Sequence, residues 1–339
     1  MSVPDVVSLV EEARSAEQPL WFAGSGTTSV PDGHTVIGTE RMVGIVDYRP
    51  DDLTIVVRAG TTLAYLDQTL EAHEHTAVLP ETAPNRTVGG VIATGASGYR
   101  RLRYGPTRDR VIGVTLVSGY GEVVHGGGQL VKNVTGYDLP RLVTGSHGAL
   151  GFIAEIYLKL WPVPEMRTTI EVNDIAAMRD RLYQPTAALE TEHGGFAYVS
   201  GSRASVSAQV DSLEGSASEG FVWPSPLDDA VVVGVNVPPR LVPDAVRRVR
   251  DVGAGRFVAQ HGVGVVEVGW SKVEETVITE LRAWAETSGG SLVIHRRGPL
   301  SESLSRWGRL PETVDIQRRL KELFDPDRVC NPGVLPGGV

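Results

Sequence analysis

The sequence predicts an α+β protein of two domains, built from antiparallel strands with helices laid against them. Three observations carry this. The chain has 339 residues, and at about 100–200 residues per domain that length corresponds to two domains, with three as the alternative. Residues 166–300 alternate strands and helices in the rhythm of an antiparallel sheet covered on one face. The first 165 residues instead mix β-branched strands, short helices and glycine-rich loops, and Pro162 and Pro164 punctuate the change.

The elements follow in order. Val3, Val6, Val7 and Val10 recur at helical spacing, which predicts a helix over residues 3–16 capped by Ser2 or Asp5. Leu20–Ala23 reads as a short strand running into Gly24-Ser25-Gly26-Thr27-Thr28-Ser29, and Thr35–Ile37 and Met42–Val46 read as extended. Thr54–Ala59 is a β-branched run of the kind found in buried strands. Thr61–Ala72 is an amphipathic helix with Thr61 or Thr62 as cap and Leu63, Leu66 and Leu70 inward. Leu79–Gly105 is expected to be mostly loop, too long and too apolar for a linker and therefore a functional segment.

Val111–Ser118 and Glu122–His125 form a hairpin about Gly119-Tyr120-Gly121. Asp138 caps a short helix ending at Val143, and Gly151–Trp161 alternates as a long strand. Beyond the prolines, strands are expected at Arg167–Val172, Phe196–Ser200, Ala204–Gln209, Val231–Val237 and Val263–Val268. Helices are expected at Asp174–Tyr183 and Pro243–Val252, and a charged helix at Pro311–Phe324. No internal repeat or low-complexity segment is present.

Composition narrows the function. Lys+Arg 32 against Asp+Glu 41 gives a net charge of -9, a sign that opposes nucleic-acid binding. The single cysteine, Cys330, forbids an intrachain disulfide or a cysteine-based cluster. The apolar fraction is 41%, enough for a core, yet no stretch of about 18 apolar residues reads as a membrane span. Nothing near Met1 reads as a signal peptide, so the expected location is the cytoplasm. Glycine is in excess, with 39 residues, and fifteen of them fall between Gly89 and Gly151, where close backbone approach to a ligand is one reading.

The glycine motifs exclude two common nucleotide folds. Gly24-Ser25-Gly26 has Ser29 where a dinucleotide fingerprint needs its third glycine, and Val30-Pro31-Asp32-Gly33 cannot open the long helix that motif requires. No GxxxxGK[ST] exists. The remaining readings of Gly24–Thr28 are a plain turn or a nest of N–H groups and hydroxyls for an anion.

Read together, the ordered motifs resemble the FAD-linked oxidase family with a PCMH-type flavin domain and, within it, the FAD-binding subunits of bacterial glycolate oxidase. They are Phe22–Thr28, Val56–Leu66, Leu79–Gly98, Arg103–Val111, Val131–Leu142, Gly145–Pro162 and Phe324–Gly333. The resemblance covers about residues 20–165 and the last 20. It implies a two-subdomain FAD-binding domain over 1–165 (subdomains about 1–58 and 59–165). A smaller α+β cap with an antiparallel sheet would occupy 166–310, and a tail over 311–339 would return to the FAD domain.

It places the FAD pyrophosphate against Gly24, Ser25, Gly26, Thr27 and Thr28. It sets the ring and ribityl chain along Pro80, Thr82, Thr87, Gly89, Gly90, Thr94, Gly95 and Gly98. Gly151 and Ile153 fall at the adenosine end, and Asn331 in the returning tail. Covalent attachment in this family uses His or Cys; the first loop has no His, so FAD is expected to be non-covalent.

The implied activity is 2-hydroxy acid oxidation within a complex that holds a second FAD subunit and an iron–sulfur subunit, with any membrane association coming through those partners. Alternatives are a stand-alone FAD-dependent 2-hydroxy acid oxidase and a non-catalytic scaffold. No metal site is expected, since the paired histidines of metal-assisted relatives are not found. His261, His295 and Arg296 are weak candidates for substrate chemistry, and a satisfied strand-end histidine and a solvated basic edge are the preferred readings. Arg100, Arg101, Arg103 and Tyr104 adjoin the glycine loop and fit either flavin or surface roles.

Overall fold

The computed structural model describes all residues except 27–29, 82, 130–136, 179–180 and 214. Two compact units emerge: residues 1–98, 106–163 and 311–339 form the first, residues 99–105 and 164–310 the second.

The first unit opens with the helix Val3–Ser15, started by a reciprocal cap in which Ser2 N–H donates to Asp5 at 2.6 Å while the Ser2 hydroxyl accepts from Asp5 N–H. Strands β1 (Leu20–Ala23) and β2 (Thr35–Gly38) pair in parallel. β3 (Ile45–Arg49) lies three residues beyond the expected start, because Met42 N–H turns back onto the Thr39 carbonyl. β4 (Thr54–Arg58) leads to the helix Leu63–Glu71, capped by Thr62. The two-residue β5 (His75–Thr76) pairs with β9 (Trp161–Pro162). β6 (Val111–Val117) and β7 (Val123–Gly127) form the hairpin, and β8 (Phe152–Lys159) completes an antiparallel sheet in the order β3-β4-β8-β6-β7. A division at residue 58 therefore falls at the end of a strand whose partner is β8.

One departure from the expected loop matters. Within Leu79–Gly105 the chain makes a helix at Val88–Thr94, with Thr87 as its cap and Gly95 left-handed at its end, and a short helix at Arg101–Tyr104. Gly89 and Gly90 disfavour a helix by propensity. Packing overrides this: Val88, Val91 and Ile92 are fully buried against Ile55, Val57, Leu66, Ile156 and Leu158. A second cluster joins Val6 and Val10 of the first helix to Leu20, Ile37, Phe152 and the tail residues Val329 and Cys330.

In the second unit eight strands form one antiparallel sheet. They are β10 (Met166–Val172), β11 (Ala187–Thr191), β12 (Gly194–Gly201), β13 (Ser216–Glu219), β14 (Val231–Asn236), β15 (Arg256–Gln260), β16 (Val265–Trp270) and β17 (Ser291–Arg296), ordered 13-10-12-11-15-16-14-17. Helices Ile175–Met178, Arg203–Asp211, Val242–Asp251 and Glu275–Thr287 cover one face, where Ala188, Ala197, Phe257, Ala259, Val233 and Val268 are buried. The segment expected as a strand at Ala204–Gln209 is helical. Ser202 caps it by accepting Ser205 N–H, and Val206 and Gln209 turn inward together, as only a helical period allows. The opposite face carries an aromatic group in which Tyr198 stacks on Trp223 with ring centroids 4.3 Å apart.

Candidate functional site

Four segments of the first unit meet at the end of β1. The first is the Gly24–Gly26 turn. A Cβ on Gly24 would stand 2.4 Å from the Thr87 hydroxyl and 3.7 Å from Gly90 Cα, so glycine lets this loop rest against the Val88–Thr94 helix. That hydroxyl accepts Gly90 N–H at 3.1 Å. Gly89 is buried, its N–H bonded to the Ala59 carbonyl at 2.8 Å and its Cα too close to Ala59 for any side chain. Thr94 closes the helix by donating to the Gly90 carbonyl at 2.7 Å and accepting from Arg86 Nη2 at 2.8 Å.

The third segment is residues 145–151. Gly145 N–H bonds Ile92 and His147 N–H bonds Ala93, which ties this loop to the end of the same helix. Gly151, with φ +141, approaches the Val117 carbonyl where a Cβ would stand 2.3 Å away. The fourth is the tail. Leu20 bridges Cys330 in parallel, and Asn331 uses both ends of its amide: Nδ2 donates to the His147 carbonyl at 2.8 Å, and Oδ1 accepts Phe22 N–H at 2.7 Å.

Below it lies a buried ion pair. Lys321 Nζ reaches Asp325 at 2.6 Å and the carbonyls of Ala149 and Cys330, while Asp325 accepts N–H groups from Val329 and Cys330. The buried charges of Lys321 and Asp325 thus compensate each other. Cys330 is fully buried, and burial, aided by Asp325, pushes its thiol well above the ordinary range. It is a core residue.

The predicted site residues divide accordingly. Ser25 and Gly26 are exposed, and Gly90, Thr94, Gly95 and Gly98 are half-buried, with Gly98 beside the Glu81 carboxylate. Pro80, Thr87, Gly89, Gly151 and Asn331 are buried, and Ile153 sits in the main core. Thr27, Thr28 and Thr82 lie outside the described residues, as do Lys132 and Asn133. Arg86 and His147 were not singled out in the sequence. The signal for Arg86 is its place just before the Thr87 cap; for His147 it is the neighbouring glycine pair.

In the second unit His261 is buried, its Nε2 2.8 Å from Glu190, which also binds Arg250 at 2.9 Å. His295 and Arg296 are exposed at the end of β17, where Arg296 donates to the Asp229 carbonyl. Arg103 donates to the Ser200 carbonyl at 2.6 Å and lies over the Tyr104 ring. Among the described residues no three His, Cys, Asp or Glu side chains are gathered to hold a metal ion.

The donor set of the first unit fits a flavin dinucleotide. Residues 22–30, 88–95 and 145–151 contain no carboxylate, so a diphosphate placed against these segments would meet no like charge from them. Gly26 (φ +71) has nothing within 4 Å of where a Cβ would stand, which leaves its backbone open to close approach.

Comparison with known proteins agrees. A family profile described as "FAD binding domain" matches residues 1–127. The glycolate oxidase subunit GlcE of Escherichia coli (strain K12) is 28% identical over 351 residues, covering 96% of this chain and 94% of that protein. The glycolate oxidase subunit GlcD of Bacillus subtilis (strain 168) is 37% identical over 161 residues, 45% of this chain and 34% of its own length. The D-lactate dehydrogenase of Archaeoglobus fulgidus is 31% identical over 173 residues, 50% of this chain and 39% of its own length. The chain thus spans nearly all of the first relative but under two fifths of the other two. Among solved structures, alkyldihydroxyacetonephosphate synthase superposes with a TM-score of 0.66 at 18% identity, over 98% of this chain and 76% of the other, a likeness of fold. Residues 1–127 thus carry the likeness to the FAD binding domain, and FAD is the cofactor of this protein.

Proposed function

We propose that this chain is the FAD-binding subunit of a complex that oxidises a small 2-hydroxy acid, glycolate being the first candidate. One observation carries the reading. The match to a glycolate oxidase subunit runs through 96% of the chain, cap included, whereas the D-lactate dehydrogenase relative matches only about half of it. The second FAD subunit and the iron–sulfur subunit belong to this proposal. So does a cytoplasmic location with membrane association through partners; no helix among the described residues is long and apolar enough to cross a membrane.

FAD, when bound, supplies the acceptor for the hydride equivalent lost from the alcohol carbon. The protein's part divides into contact and positioning. Ser25 and Gly26, with Thr27 and Thr28, offer N–H and hydroxyl donors to the diphosphate. Gly90, Thr94, Gly95 and Gly98, with Thr82, border the ring and ribityl chain. Thr87, Gly89, Gly151, Ile153 and Asn331 hold these segments in place, and the buried Pro80 is assigned to the same positioning group. No covalent link is required, since no His or Cys occurs in residues 22–30.

The test is anaerobic. The purified, FAD-loaded chain is mixed with glycolate or D-lactate, alone and with candidate partner subunits, and the flavin spectrum is followed. Bleaching only with partners is expected. Bleaching of the chain alone would make it a stand-alone oxidase, and failure to take up FAD would make it a scaffold.

A further inference from the structure

Three arginines of the second unit meet at the loop over residues 297–308, with the single Glu286 carboxylate beside Arg282. Arg282, on the helix Glu275–Thr287, is 9% exposed; Nη2 donates to the Ser305 carbonyl at 2.6 Å, and its Nε is buried with no acceptor. Arg297, just after β17, donates to the carbonyls of Ser301 and Leu304. Arg306 is half-buried and lies over the Trp307 ring, with its Nε likewise buried and without an acceptor. Gly308, with φ +75, lies against both side chains: a Cβ there would stand 2.6 Å from Glu286 Oε1 and 3.1 Å from Arg282 Nε.

The electrostatics are unfavourable as they stand. Burial lowers the affinity of Arg282 for its proton, Glu286 offsets this in part, and Arg297 adds to it. Burial and then Arg297 do the same at Arg306. Glu286 is already engaged, accepting Arg309 N–H at 2.9 Å. Carbonyl acceptors satisfy single N–H groups but neutralise no charge, and like charges withdrawn from water are disfavoured unless an anion accompanies them. Guanidinium forks match the oxygens of carboxylates and phosphates.

We propose that Arg282, Arg297 and Arg306 form a binding site for a small oxyanion, a carboxylate or a phosphate, separate from the flavin site. The FAD-loaded protein is titrated calorimetrically at constant ionic strength with inorganic phosphate and, separately, with malonate, sodium chloride serving as control. One equivalent of one anion is expected to bind, with a matching rise in Tm; the two arms tell phosphate from carboxylate. Arg306→Gln breaks no hydrogen bond of the described structure and so should fold. In chloride alone it should raise Tm by about 2 °C, by relieving repulsion, and it should weaken anion binding at least tenfold. The proposal is overturned if neither anion binds the wild type, or if Arg306→Gln binds as tightly. The wild-type titration decides independently of any variant.

Discussion

The side-chain carbonyl of Asn331 accepts the Phe22 N–H across 309 positions of sequence. Its amide nitrogen holds His147 at the same time. Asn331→Ala removes the partner of the half-buried Phe22 N–H and His147 carbonyl, which should cost about 2 kcal/mol and weaken FAD binding at least tenfold. Asn331→Asp keeps the bond to Phe22 but cannot donate to His147, so it should fall between. Urea unfolding and FAD titration by fluorescence quenching measure both; unchanged stability in the alanine variant would contradict the bridging role.

Two glycines should respond in opposite ways. Gly89→Ala drives a methyl into Ala59 and should lower stability by about 2 kcal/mol. Gly26→Ala meets no atom within 4 Å, so its cost is backbone strain of about 1 kcal/mol. Its larger effect should be on FAD affinity, because a methyl there stands where the diphosphate would approach. Equal stability losses with unaltered FAD binding would remove Gly26 from the site.

Asp325→Asn should be severe. It strands Lys321 as a buried charge with carbonyls alone for partners, and a loss of about 3–5 kcal/mol is expected in chemical denaturation. A loss under about 1 kcal/mol would show the pair to be solvated.

Cys330 should be silent toward thiol reagents at pH 8 in the folded protein and react fully after unfolding, as a time course with a chromogenic disulfide will show. Its folded-state pKa is raised above the ordinary 9.0, as that of Tyr198 is above 10.0, in both cases first by burial. Groups so raised contribute stability that is whole below the ordinary value and is lost as pH rises beyond it. Thermal stability should therefore decline above about pH 9, less steeply in Cys330→Ala.

His261 pairs with Glu190 in the second unit and should act as structure. His261→Gln is expected to lower Tm by several degrees while flavin reduction in the assembled complex stays within about threefold of wild type. A drop of about a hundredfold or more, in the range typical of a lost general base, would restore it as a catalytic candidate.

Legibility in the sequence followed the range of the interactions. Local signals were readable: the caps Ser2, Thr62 and Asp138, the hairpin about Tyr120 and the alternation from Phe152 onward. The Val88–Thr94 helix is masked in the sequence because Gly89 and Gly90 oppose a helix locally, while the need for Gly89 comes from Ala59, on a segment distant in sequence. The Arg203–Asp211 helix is masked in the sequence because Ala204, Val206 and Ala208 alternate as a strand would, while the deciding cap at Ser202 is a weak cue. The glycine loops announced a ligand. What they could not show is which residues touch it and which, like Asn331 and Ile153, hold others in place.

The tail beside β1 also sets a timetable. Leu20 leaves the ribosome early and its neighbour Cys330 some 310 residues later, which at about 5–20 residues per second is roughly 15–60 s. Throughout that interval the first strand lacks one flank, and the loop after it lacks Asn331. A nascent chain stalled before residue 325 should therefore hold FAD poorly however well its amino-terminal half has folded. Cofactor capture would then wait for the segment around Asn331, so FAD would separate chains that hold this segment from those that lack it.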